Sequence, residues 1–172
     1  MAEGNAHMRV LVMGIGNTLL QDDGIGVHVT ESLRTIPNGT ATTPGPELDL
    51  IDGGTIGLSL LPEIEDAAAV IVVDASEIGE APGTLRIFRD REIDQQLSGK
   101  RRTVHEVALA DLFAAAAIRG RSPAWRALVA IQPASTELGL DLTPAVQAAI
   151  PRAREAILGL AQQWRAEASP HE

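Results

Sequence analysis

The chain of 172 residues contains no cysteine. Disulfides, cysteine-ligated zinc, iron–sulfur clusters and a thiol nucleophile are therefore excluded. Tyrosine is absent and aromatics make up only 2% of the chain, so the core must rest on Leu, Ile, Val and Ala. Positive charge is scarce. With 14 Lys and Arg against 23 Asp and Glu, the formal net charge is −9, which argues against a nucleic-acid partner because phosphate neutralisation needs a basic surface. No apolar run is long enough to span a bilayer, so no membrane partner is expected. The first seven residues lack the apolar core of a secretory signal, which points to a cytoplasmic protein. Residues 1–7 read as a flexible leader or a cloning remnant, 8–166 as a single domain, and 167–172 as a flexible tail.

Strand-like and helix-like segments alternate along the domain. Continuous apolar runs at 10–13, 68–73 and 127–131 have no polar face, as expected for strands buried on both sides. Further strands are predicted at 47–51 and 84–88. Helical periodicity runs over 24–34, 57–64, 104–117 and 143–166. Thr103 and Glu106 form a capping-box pattern. Thr143 is a candidate cap with Pro144 at the first helical position, and Pro151 predicts a kink or break. The stretch 89–102 is polar, and its Lys100, Arg101 and Arg102 read as mobile. The pattern implies an α/β fold: a single domain with a twisted, mostly parallel five-stranded sheet sandwiched between helices. In such sheets, sites form beyond the carboxyl ends of the strands. Asp22 and Asp23, Asp52, and Asp74 all fall at or just past such ends.

The first strand runs into Gly14-Ile15-Gly16-Asn17, then Asp22-Asp23-Gly24-Ile25-Gly26. A dinucleotide fingerprint would need a third glycine where Leu19 stands. Two carboxylates also occupy the place of a pyrophosphate. No Gly-Lys-Ser/Thr follows, so a P-loop is absent. Ser59 lacks the glycines of a nucleophile elbow. His105-Glu106 begins like a zinc-protease motif but has Leu109 where the second His must be.

What remains is a set of oxygen and nitrogen donors: Asp23, Asp74 and His105. Such a set suits Zn²⁺, Ni²⁺, Mn²⁺ or Fe²⁺ without choosing among them. Each residue also has a structural reading. An Asp before a helix is commonly a cap, and an Asp ending a strand commonly binds loop amides. His7 and His171 fall in the tails, and His28 reads as a helix-surface residue. Gly14, Gly16, Gly24 and Gly26 serve equally well as turn geometry or as clearance for a substrate backbone.

The segment from Gly14 to Val27 resembles the signature of the NiFe hydrogenase maturation endopeptidases. Asp52-Gly53-Gly54-Thr55, Val72-Val73-Asp74-Ala75, Ala81-Pro82-Gly83-Thr84 and the segment from His105 to Leu112 resemble that family's later motifs in the same order. The resemblance implies a cytoplasmic enzyme that removes a C-terminal extension from a NiFe hydrogenase large-subunit precursor after nickel insertion. It further implies that Asp23, Asp74 and His105 meet the nickel, which the precursor supplies. The isolated protein would accept another divalent metal. Asp23 departs from relatives that carry Glu at this position, and Asp22 is the substitute if the assignment shifts by one. Asp22, Gly24, Asp52 and Gly53 are candidate substrate contacts. The metal or a carboxylate would polarise the carbonyl or activate water. A non-cleaving nickel-sensing chaperone for the same precursor is the alternative, and a nucleotide-binding protein is a third reading.

Overall fold

The computed structural model describes residues 8–35, 47–54, 57–99 and 103–169. The 1–7 leader, most of the Thr/Pro/Gly-rich 35–46 loop, Thr55, the Lys100–Arg102 triplet and His171 lie outside the described residues. The elements in order are β1 (Val10–Ile15), a 3₁₀ turn (Gln21–Gly24), α1 (Ile25–Arg34), β2 (Leu48–Gly54), a second 3₁₀ turn (Leu58–Leu60) and α2 (Leu61–Asp66). They continue with β3 (Ala69–Ala75), β4 (Leu85–Arg89), α3 (Arg91–Leu97), α4 (Val104–Ile118), β5 (Trp125–Ile131), α5 (Pro144–Gln147) and α6 (Ile150–Ala168). The five strands lie in the order β2-β1-β3-β5-β4. Pairing is parallel except for β4 against β5. The expected mostly parallel five-stranded sheet is therefore present.

Strand alternation sorts the core into two layers. Val10, Val12, Ile71, Val73 and Val129 point to the side covered by α1 and α6. Leu11, Met13, Val70, Val72 and Leu128 point to the side covered by α2, α3 and α4. Side chains of period two feeding both faces make β1, β3 and β5 apolar throughout. β1 and β3 are neighbours, yet the helix after β1 lies on one face and α2, which leads into β3, on the other. Their carboxyl ends flank a topological switch point, where a crevice opens.

Several local expectations change. β2 continues through Asp52 to Gly54 because it stays paired with β1 across a bulge, with Gly14 opposite Asp52 and Ile15 opposite Gly54. The polar stretch after β4 contains α3, held by Ile93 and Leu97, a buried pair one turn apart. The last helix breaks: α5 ends at Gln147, and Pro151 sits in the first turn of α6, where its missing N–H costs nothing. α6 runs to Ala168, past the predicted domain edge. Thr143 occupies the position before α5 but makes no side-chain cap. His28 is half-buried on its helix, with Nε2 enclosed and without a hydrogen-bond partner among the described residues.

Helix α1 packs on the sheet with no room for a side chain at its first turn. A Cβ on Gly26 would lie 2.2 Å from the Val73 carbonyl oxygen, and one on Gly14 would lie 2.2 Å from the Gly26 oxygen. Both neighbours are backbone, so relief requires moving the helix. Gly26→Ala should therefore destabilise the protein by about 3 kcal/mol in urea unfolding. Gly159→Ala, on the exposed face of α6 with open space around it, should stabilise by roughly 0.5–1 kcal/mol in the same measurement.

Candidate active site

Three segments meet at the switch point. The loop after β1 delivers Asp22 and Asp23, the end of β3 delivers Asp74, and the first turn of α4 delivers His105. Asp74 alternates with Val73 and Ala75, so it projects to the α4 side of the sheet. The capping box fixes the start of α4: Glu106 N–H donates to Thr103 Oγ1 at 3.2 Å, and Thr103 N–H donates to Glu106 Oε2 at 2.9 Å. His105 is thereby aimed at the glycine loop. Its Nε2 lies 3.2 Å from Asp23 Oδ2, which also accepts the Asn17 N–H at 2.8 Å.

The two adjacent acids do different work. Asp22 is fully buried. Its carboxylate accepts from the N–H groups of Ala134 (2.8 Å), Ser135 (3.1 Å) and Thr143 (2.7 Å) and from the Thr143 hydroxyl (2.8 Å). Burial raises its pKa, but these bonds outweigh burial and hold the carboxyl below the ordinary range. With its oxygens so occupied, Asp22 is neither a substitute ligand nor a substrate contact; it is a clasp for the 134–143 loop. Asp23 caps no helix. Burial raises its pKa, and the bonds from His105 and Asn17 outweigh that and lower it. In turn Asp23 raises the His105 pKa against desolvation, with Glu106 adding to the effect.

Asp74 is the anomaly. It has zero exposure, and neither carboxyl oxygen has a hydrogen-bond partner among the described residues. Desolvation first, then the nearby charges of Glu106 and Asp23, push its carboxyl well above the ordinary range, offset only weakly by the Ala75 amide. Nothing in the local sequence marks this raised value, nor that Glu106, read as a cap, also acts on Asp74 and His105. Ser76 was missed as well. Its hydroxyl is buried without a hydrogen-bond partner among the described residues, two residues past Asp74.

The glycines serve the fold. A Cβ on Gly16 would lie 1.7 Å from the Asp23 carbonyl oxygen, and one on Gly24 2.8 Å from Thr18 Cα. Gly24 is buried and turned to its own chain, so it is no substrate contact. Gly53 likewise faces Ile15 and Met13. Asp52 is exposed, accepts the Gly54 N–H at 2.8 Å, and lines a cavity of about 290 Å³ with Gly16, Asn17, Thr18, Val27 and Gly54. A larger cavity of about 500 Å³ lies at the other end of β5, beside Asp94, Phe113 and Arg126. Among the described residues no group of three or more His, Asp or Glu encloses a metal position. The donors adjoin, with Asp23 and His105 turned to each other.

Residues 27–160 match the HycI family of hydrogenase maturation proteases. The chain belongs to the hydrogenase maturation protease family. It is a peptide-bond hydrolase of hydrogenase maturation. The match includes Asp74 and His105 and begins after Asp23. The hydrogenase 2 maturation protease of Escherichia coli K12 is 36% identical over 169 residues, which cover 96% of this protease and 98% of that one. The hydrogenase expression/formation protein HupD of Rhodobacter capsulatus is 40% identical over 139 residues, 80% of this protease but 64% of HupD. Among solved structures, the hydrogenase maturating endopeptidase HybD from E. coli superposes with a TM-score of 0.80 at 36% identity, covering 91% of this protease and 93% of HybD. No helix among the described residues is long and apolar enough to cross a membrane.

The electrostatics of the protease give two measurable signs. The His105 imidazole should titrate above about 6.5, the ordinary value, and fall back in Asp23→Asn; NMR of the ring protons reads both. Stability from this contact is present below the unfolded-state His pKa and is lost as pH rises through the raised folded value. Asp74 runs the other way from an ordinary acid. Its raised pKa means the folded state binds the proton more tightly, so stability declines as pH rises from the unfolded-state value toward the folded one. Asp74→Asn should flatten that decline and raise neutral-pH stability by about 1 kcal/mol or more, checked by urea unfolding at several pH values.

Proposed function

We propose that this protease removes the C-terminal extension of a NiFe hydrogenase large-subunit precursor after nickel insertion. In this reading, the precursor-bound nickel is its recognition element. The observation that supports this is the fully buried carboxyl of Asp74, whose oxygens have no geometric hydrogen-bond partner among the described residues, close enough to Asp23 to feel its charge. A buried polar group without a partner is rare in a folded protein and marks a role outside the fold. Two carboxylates and an imidazole match the donors that a borderline divalent ion accepts.

The nickel belongs to the substrate. Asp23 and His105 would exchange their mutual contact for the incoming ion, and Asp74 would give up its proton as it becomes a ligand. The tail then lies against the end of β2, where Asp52 borders the 290 Å³ cavity. With no cysteine and no serine elbow, an acyl-enzyme on those nucleophiles is unavailable, and water is the attacking group. The precursor-bound metal or a carboxylate of the site would activate that water.

Asp23→Asn, Asp74→Asn and His105→Ala should each fold yet process a nickel-loaded precursor at least about a hundredfold more slowly. Mass spectrometry of the precursor's C-terminus reads the outcome, and normal cleavage by all three would sink the proposal. Metal-free precursor should remain uncut by the unaltered protease; efficient cleavage of it would mark nickel-independent recognition. A non-cleaving chaperone would bind the precursor and leave its mass unchanged.

A further inference from the structure

The loop at 134–143 is held at both ends by Asp22 and lies along the glycine loop in its middle. Gln21 N–H donates to the Gly139 carbonyl at 2.9 Å, and Gly139 N–H donates to the Leu19 carbonyl at 3.0 Å. Leu20 and Gly139 form a parallel bridge. A Cβ on Gly139 would lie 2.8 Å from Gln21 Cγ, so the two segments run in close contact. These hydrogen-bonded segments carry three large exposed apolar residues, Leu19, Leu138 and Leu140, exposed by 56, 85 and 70%. Leu19 lies in the same loop as Asn17, whose N–H holds Asp23. Glu137 and Asp141 are exposed beside the leucines.

We propose that Leu19, Leu138 and Leu140 form the docking ridge for the precursor, receiving an apolar segment of the large subunit bordered by basic residues. The proposal rests on the processing function above and names the surface that selects its substrate. Apolar side chains fixed in solvent beside a reactive site mark an interface rather than a core. Continuity with the Asp23 loop makes the occupant a protein whose bond is being cut there. Charge selects further. A symmetric contact between two copies would bring the acidic Glu137 and Asp141 of both copies into one interface, whereas a basic border on the precursor complements them.

The test is steady-state processing of a nickel-loaded precursor by the unaltered protease, by a Leu138→Ser/Leu140→Ser double variant and by Glu137→Lys/Asp141→Lys. Both variants should keep the unfolding midpoint, because the replaced side chains are exposed. The expected result is a KM raised about tenfold or more, with kcat within twofold. An unchanged KM in the leucine variant overturns the ridge, and an unchanged KM in the lysine variant overturns its basic partner. Sedimentation supplies another check: a dimer of the unaltered protein lost in the leucine variant would assign the ridge to a second copy instead. Should the unaltered protein fail to process the precursor at all, the processing function falls. Calorimetric binding of precursor to the unaltered and leucine-variant proteins then decides the ridge separately.

Discussion

The backbone contact between the first turn of α1 and the ends of β1 and β3 organises the molecule. Gly14 and Gly26 remove the side chains that would separate helix from sheet, and a Cβ at Gly26 would strike the carbonyl of Val73, the residue before Asp74. The helix therefore begins against the strand end that carries the buried acid. Everything in the preceding loop must fit in the short space left. Gly16 turns the chain at a positive φ of 122°, Asn17 presents its N–H inward, and Asp23 comes to rest within reach of His105. Glycine here sets the distance between acids rather than the freedom of a ligand.

Asp22 and Asp23 show how neighbouring identical residues acquire opposite characters. One is consumed by four donors from a distant loop and behaves as part of the scaffold. The other receives one backbone amide and an imidazole, and so keeps a partner that can move. Asp74, a strand residue whose oxygens find no geometric hydrogen-bond partner among the described residues, completes a gradient from well-satisfied to poorly satisfied carboxyl. The gradient comes from where each backbone points, since the side chains are the same.

Much of the architecture was legible beforehand, because periodicity and burial are local properties. The all-apolar strands, the Thr103–Glu106 capping box and the break at Pro151 each follow from a few adjacent residues. The short α3 was not legible, since only Ile93 and Leu97 mark it within a polar stretch. The candidate triad was legible as a list of donor types and as a family resemblance. Its geometry was not, because Asp23, Asp74 and His105 are brought together by pairing and packing between distant segments. The division of labour between Asp22 and Asp23 depends on Ala134, Ser135 and Thr143, more than a hundred positions away. No local pattern carries that information.

The capping box at the start of α4 ties helix integrity to the charge on the reactive acid. Glu106 closes the first turn by accepting from Thr103, and the same carboxylate is a negative neighbour of Asp74. When Asp74 is ionised, the repulsion falls on the group that fastens the helix bearing His105. Proton loss at the strand end would therefore act on the same carboxylate that fastens the first turn of α4 and, through it, on the segment that presents His105.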